Sequence, residues 1–251
     1  EWVGQHEDGS VADFWCFDFN WPTWIAYFGD YIRHQTAEYD LDGWRLDATS
    51  GSRHPNWNPA IPYARASFAQ LQGAFNQLRS IRANLRKVRA DGALLTESHF
   101  GAFAKYADSI YDEWRVGARA LDEMARQAGP GEVVRALRRW FHEQQFALPP
   151  DTINMRYIDN HDTLSLADTH GRAVATAMMA VMAWTPGYPQ VCNFREDGAF
   201  EALRRIFRLR AALPELRRGA ADYMGVDAPD GVVACRRTLG DLERVVLGNF
   251  N

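Results

Sequence analysis

Asp42-Gly43-Trp44-Arg45-Leu46-Asp47-Ala48-Thr49 is the stretch on which the reading of this chain turns. Small or charged residues alternate with apolar ones. As a strand it sends Trp44, Leu46 and Ala48 to one face and Gly43, Arg45 and Asp47 to the other. A guanidinium then stands beside a carboxylate and favours its ionised form, which suits a nucleophile or an electrostatic stabiliser. A structural ion pair on a strand face has the same signature, so both readings stay open on this stretch alone.

Two more apolar runs change the balance. Ala93-Leu94-Leu95-Thr96 ends in Glu97, and Met155-Arg156-Tyr157-Ile158 ends in Asp159-Asn160-His161-Asp162. Each reads as a short buried strand that releases acidic residues where it stops. In a barrel of parallel strands with outer helices, the carboxyl ends of the strands build the active site, so three such ends would converge on one place.

In this order the three segments resemble the characteristic regions of the α-amylase family of glycoside hydrolases. Asp18-Phe19-Asn20 resembles that family's short Asp-Leu-Asn motif. Pro186-Gly187-Tyr188-Pro189, with Glu196 downstream, resembles its Pro-Gly-x-Pro strand and closing acid. Leu203 to Leu213, followed by Pro214-Glu215-Leu216-Arg217-Arg218-Gly219, resembles the passage into the family's C-terminal β-domain. No single motif is specific, but their joint order spans nearly the whole chain.

The resemblance implies an α/β fold: a partial (β/α)8 barrel of about the last five strand-helix units, followed by the start of a small antiparallel β-domain. The expected divisions are residues 1–20 as the end of an inserted loop subdomain, 21–218 as the partial barrel and 219–251 as the start of the β-domain. The family's earlier strands have no counterpart, so a fragment of a longer protein is expected. Such a piece, with open sheet edges, should be weakly active or inactive alone and prone to associate.

The resemblance also assigns roles. Asp47 would attack the anomeric carbon with Arg45 orienting it, and Glu97 would be the acid and then the base. Asp162 would bind sugar hydroxyls, with His161 and Asn160 beside it. By position in the chain rather than by the resemblance, His99, just past Glu97, lines the groove or is a loop histidine without a role, and Trp57, in the Pro- and Asn-rich loop after the central strand, stacks on a sugar ring or packs within the loop. The implied partner is an α-glucan or oligosaccharide cleaved with retention through a covalent glycosyl-enzyme intermediate. Transglycosylation or sugar isomerisation on the same scaffold uses the same residues, and a non-catalytic carbohydrate-binding relative is the rival of another class. That rival sits poorly with three retained acids.

Calcium is common in the family, but Ser50 and Gly51 stand where Lys and His are frequent. No cofactor is identified, no metal ligand is placed, and calcium is left open. A metal-dependent phosphoesterase would need an Asp-x-His early in the chain. The Asp168-Thr169-His170 found here comes after Asn-His-Asp.

Composition sets outer bounds. With 251 residues and 47% hydrophobic content the chain can bury a sizeable core. A formal charge of -4 argues against a nucleic-acid partner, and no apolar run is long enough to span a membrane. Cys16, Cys192 and Cys235 are widely spaced and form neither a disulfide framework nor a zinc pattern, which fits reduced thiols and a cytoplasmic setting.

Along the chain, Glu1 to Asn20 lacks a clear period and reads as loop. Thr23 to Tyr39 reads as a helix opened by Pro22, with an aromatic stripe expected to be core. Tyr63 to Ala90 reads as a long helix with Arg79, Arg82, Arg86 and Arg89 on a solvated face. Asp108 to Asp112 reads as a strand whose exit carries Asp112, Glu113 and Trp114. Helices are expected over Val116 to Gln127, Glu132 to Phe146 and Arg172 to Trp184, the last with Met178 and Met179 filling gaps in the core. Tyr188 to Cys192 reads as the last barrel strand, and the turn residues within 222–251 argue for an antiparallel hairpin.

Overall fold

The computed structural model describes residues 2–5, 11–16, 19–47, 49, 63–98, 101–111, 130–149, 151–161, 165–191 and 197–250. The chain divides into two compact units, Glu1–Ile110 and Tyr111–Asn251.

The first unit opens with β1 (Trp2–Gln5) and β2 (Val11–Cys16), an antiparallel pair where the sequence pattern suggested loop. Val, Phe and Trp in β2 are good strand formers despite the weak alternation. Helix α1 (Pro22–Glu38) follows, with Pro22 in its first turn and Gly29, Ile32 and Thr36 on its buried face. Its aromatic stripe is a surface ladder as much as a core. Trp24 stacks on Phe28 with ring centres 5.5 Å apart and Phe28 on Tyr31 at 5.8 Å, while Tyr27 and Tyr31 are exposed.

Strand β3 (Gly43–Leu46) leads to α2 (Tyr63–Val88), β4 (Ala93–Thr96) and β5 (Ser109–Tyr111). β3 pairs with β4 and β4 with β5, all parallel. Leu78, Ile81 and Leu85 form the buried stripe of α2. Trp44 docks β3 onto α1 by donating its Nε1 hydrogen to Thr36 Oγ1 at 2.9 Å. Gly43 is required for the strand contact, because a Cβ there would lie 2.3 Å from the Ala93 carbonyl oxygen.

The arginines of α2 are not a free basic face. Arg82 and Arg86 both bind Asp108 Oδ1, at 2.9 and 2.7 Å, and Arg89 pairs with Asp40 and Asp42.

The second unit contains α3 (Pro130–Ala147), β6 (Ile153–Arg156), α4 (Leu166–His170), α5 (Arg172–Trp184), β7 (Tyr188–Pro189), α6 (Asp197–Ala212) and α7 (Pro214–Arg218). After them come β8 (Ala220–Asp222), β9 (Val232–Leu239) and β10 (Leu242–Asn249). β6 and β7 are parallel, and β8, β9 and β10 form an antiparallel sheet in the order β10-β9-β8. Within each unit the parallel strands follow one another in chain order, β3-β4-β5 and β6-β7, as successive strand-helix units do. This is the partial barrel followed by an antiparallel sheet that the sequence implies.

β6 begins two residues earlier than the apolar run Met155 to Ile158 suggests and ends at Arg156. Tyr157 and Ile158 are buried without being strand, while exposed Ile153 and polar Asn154 are in the ladder. β7 is likewise shorter than Tyr188 to Cys192. The β9–β10 turn is Gly240-Asp241, a two-residue connection with Leu239 paired to Leu242 and Gly240 at φ 58°.

The core of this unit joins Val134, Leu137 and Phe141 of α3 to Met178, Met179 and Met182 of α5 and to Tyr223, Val233 and Cys235 beside or within the antiparallel sheet. Met178 and Met179 fill that core as expected. Cys235 is a free buried thiol whose pKa burial pushes up to about 11.

Two arginines, one fully buried and one half-buried, brace the end of α5. Arg237, fully buried, donates to the carbonyls of Trp184 and, at 2.7 Å, Gly219. Arg210 donates to Ala183, Gly187 and Leu216, the last at 2.9 Å. Burial pulls the Arg210 pKa down to about 10. A guanidinium at a helix carboxyl end satisfies orphan carbonyls and complements the helix dipole. Among the described residues no helix is long and apolar enough to cross a membrane.

Candidate active site

The β3–β4 ladder runs in strict register, Gly43 opposite Ala93 through Leu46 opposite Thr96. It continues one step past the strands, since the Glu97 N–H donates to the Leu46 carbonyl at 2.9 Å. Asp47 and Glu97 therefore stand level with each other, each the first residue beyond its strand. Arg45, two residues before Asp47, reaches both. Its Nη1 donates to Asp47 Oδ1, and its Nη2 binds Glu97 Oε1 at 2.7 Å.

One guanidinium therefore spans two carboxylates from neighbouring strands. Parallel strands sit about 4.8 Å apart, so level residues on adjacent strands bring their side chains within reach of a common small group. The two acids differ in surroundings. The Glu97 side chain is 19% exposed and that of Asp47 is 74% exposed. Two carboxylates in unlike environments are what a divided nucleophile and acid/base pair requires.

Thr49, which belongs to none of the motifs, holds the backbone beyond β3. Its hydroxyl donates to the Leu46 carbonyl at 2.7 Å, so that oxygen receives both Thr49 and the Glu97 N–H and pins the turn carrying Asp47. The signal was present as a Thr three residues past a strand end, a spacing suited to a local side chain-to-backbone bond.

In the second unit, Asn160 and His161 follow β6 on an irregular segment, Asn160 half-buried and His161 exposed. Asp159 before them is buried and accepts the Leu166 N–H on Oδ2 at 3.0 Å. Burial raises its pKa, the Leu166 bond opposes that, and Asp168 adds to it. Asp162, His99 and Trp57 lie outside the described residues, as do Asp112, Glu113, Trp114, Glu196, Cys192 and the expected helix 116–127. No group of three or more His, Cys, Asp or Glu among the described residues could hold a metal ion. No chemical step is routed through a metal.

No protein-family model matches the sequence, and no curated protein does. Solved structures do. A maltogenic α-amylase from Thermotoga neapolitana superposes with a TM-score of 0.72 at 19% identity, covering 99% of this chain and 59% of its own. An α-amylase from Geobacillus thermoleovorans, complexed with acarbose, gives 0.67 at 19% identity, with 96% and 55% covered. A cyclomaltodextrinase gives 0.69 at 16% identity, with 98% and 45% covered. The structures that resemble this chain are consistently α-amylase-family enzymes, and at these identities what is shared is the fold. The chain spans between 45% and 59% of the length of these three.

Proposed function

We propose that this chain carries the glycosidase centre of an enzyme acting on α-glucosidic bonds of α-glucans or oligosaccharides, with Asp47 as nucleophile and Glu97 as acid/base. The observation that carries the reading is the single guanidinium of Arg45 joining two carboxylates at the carboxyl ends of adjacent parallel strands. That end of the strands is where such folds do chemistry. The neighbours named α-amylase, cyclomaltodextrinase and debranching enzyme supply the substrate class.

The steps follow from the residues. Asp47 attacks the anomeric carbon while Glu97 gives its proton to the departing glycosidic oxygen, leaving a glycosyl ester on Asp47. Glu97, now a carboxylate, takes a proton from water, and the resulting attack frees the sugar and restores Asp47. Arg45 keeps the Asp47 carboxylate oriented for attack. Asp162, with His161 and Asn160 beside it, holds sugar hydroxyls whose hydrogen bonds strengthen as the oxocarbenium ion develops.

The test is an assay of the full-length polypeptide on maltooligosaccharides, with the anomeric configuration of the first product followed by proton NMR. An α product, together with a loss in kcat of roughly 10⁴-fold or more in Asp47→Asn, is expected. A β product removes the retaining mechanism. Native turnover in Asp47→Asn removes Asp47 as nucleophile.

A further inference from the structure

We infer that Asp159 is a positioning residue that fastens the segment bearing Asn160 and His161 to the core of its unit. Its effect on turnover rests on the glycosidase reading above, but the fastening itself does not. Helix α4 begins at Leu166, and its cap residue Ser165 makes no side-chain hydrogen bond to the helix end. Ser165 with Asp168 three residues on is a sequence well suited to a local cap. The first N–H of the helix, that of Leu166, is satisfied from a distance, by Asp159 Oδ2 seven residues earlier.

Three observations make this more than an incidental bond. The Asp159 residue is only 7% exposed, and burying a carboxylate is costly unless it is hydrogen-bonded. Leu166, 1% exposed, belongs to the hydrophobic cluster that includes Met178, Met179 and Phe141. The acceptor also sits directly after the buried residues Tyr157 and Ile158, which follow β6. Asn160 and His161 therefore follow directly on a residue whose side chain is held in the core. Displacing a substrate-binding group by about 1 Å can cost roughly a hundredfold in rate.

The experiment compares Asp159→Asn, which keeps a carbonyl acceptor, with Asp159→Ala, which does not, in the full-length polypeptide. Amide hydrogen exchange at Leu166 and kcat/KM on maltooligosaccharides are both measured below the melting temperature. Asp159→Ala should exchange Leu166 roughly tenfold to a hundredfold faster, as loss of one buried hydrogen bond implies, and should lose about tenfold or more in kcat/KM. Asp159→Asn should stay close to the native protein in both.

Native exchange at Leu166 in Asp159→Ala overturns the fastening. Accelerated exchange with native kcat/KM overturns the positioning role and leaves a purely structural bond. Equal damage in both variants overturns the acceptor argument. Asp159→Ser, whose hydroxyl falls one bond short, reads the same clamp if the alanine variant does not fold. If the native polypeptide cleaves no α-glucan, the glycosidase reading fails while the exchange measurement still decides the fastening.

Discussion

At the carboxyl end of β3 and β4, Arg45 binds two acids from neighbouring strands. At the amino end, Arg89 binds Asp40 and Asp42 in the turn before β3, and Asp108 binds both Arg82 and Arg86 of α2. The chemical groups are the same at both ends, but their ratio and use differ. Asp108 spends its acceptors on the fold: Oδ1 takes the two guanidinium donors, and Oδ2 takes the Leu94 N–H at 2.9 Å. Its side chain is 25% exposed, against 74% for Asp47. At the other end one guanidinium bridges acids from two neighbouring strands, one of them largely exposed. An ion pair in such a fold is thus better judged by which strand end it occupies than by residue types.

The largest effect that can break this comparison is expected at Arg45. A lysine there keeps the charge but cannot donate along two separate directions from a planar fork. Arg45→Lys should therefore lower kcat by roughly 10²-fold or more with little change in melting temperature, because both Asp47 and Glu97 lose their shared orientation. Kinetics and a thermal melt on the same preparation check it. Activity near native would mean that Arg45 is only another structural pair.

Much of this contrast was legible in the sequence and part was not. That Arg45, Asp47 and Glu97 meet at one strand end is legible because period-two alternation assigns faces, and because a strand that ends in an acid is conspicuous. The amino-end network was missed for a physical reason. Arg82, Arg86 and Arg89 share a helix face, and helical spacing alone cannot tell a solvated face from one that meets Asp108, which lies 22 residues from Arg86 along the chain. β6 departs from the apolar run because apolarity marks burial, not strand pairing. Tyr157 and Ile158 are buried by packing outside the ladder, and Ile153 contributes its backbone while its side chain stays exposed. The β9–β10 turn at Gly240-Asp241 is legible as a two-residue hairpin dipeptide within the hairpin that the turn residues of 222–251 imply.

An intermediate effect, of the opposite kind, is expected at Asp108. Asp108→Ala strands the Leu94 N–H and leaves two guanidinium groups facing each other without an acid between them. This should cost about 1–3 kcal/mol of stability, read by denaturant unfolding, while kcat below the melting temperature stays native. A fall in kcat without a fall in stability would join the two ends functionally and dissolve the distinction drawn here.

The smallest effect is expected at Arg89. Its acids are almost fully in water, Asp40 at 93% and Asp42 at 95% side-chain exposure. Pairs of that kind contribute about 0.2–1 kcal/mol and are screened by salt. Arg89 also donates to the carbonyls of Leu41 and Asp40, both at 3.4 Å, next to Asp40 in the left-handed region at φ 49°. Two contributions can therefore be separated. In Arg89→Ala, the part of the loss that disappears in about 1 M salt belongs to the carboxylates, since charge attraction between exposed groups is largely screened there. The part that survives belongs to the carbonyl contacts that brace the turn. If the whole loss survives in high salt, the exposed acids do nothing for the fold, and the amino end is held by Asp108 and by backbone contacts alone.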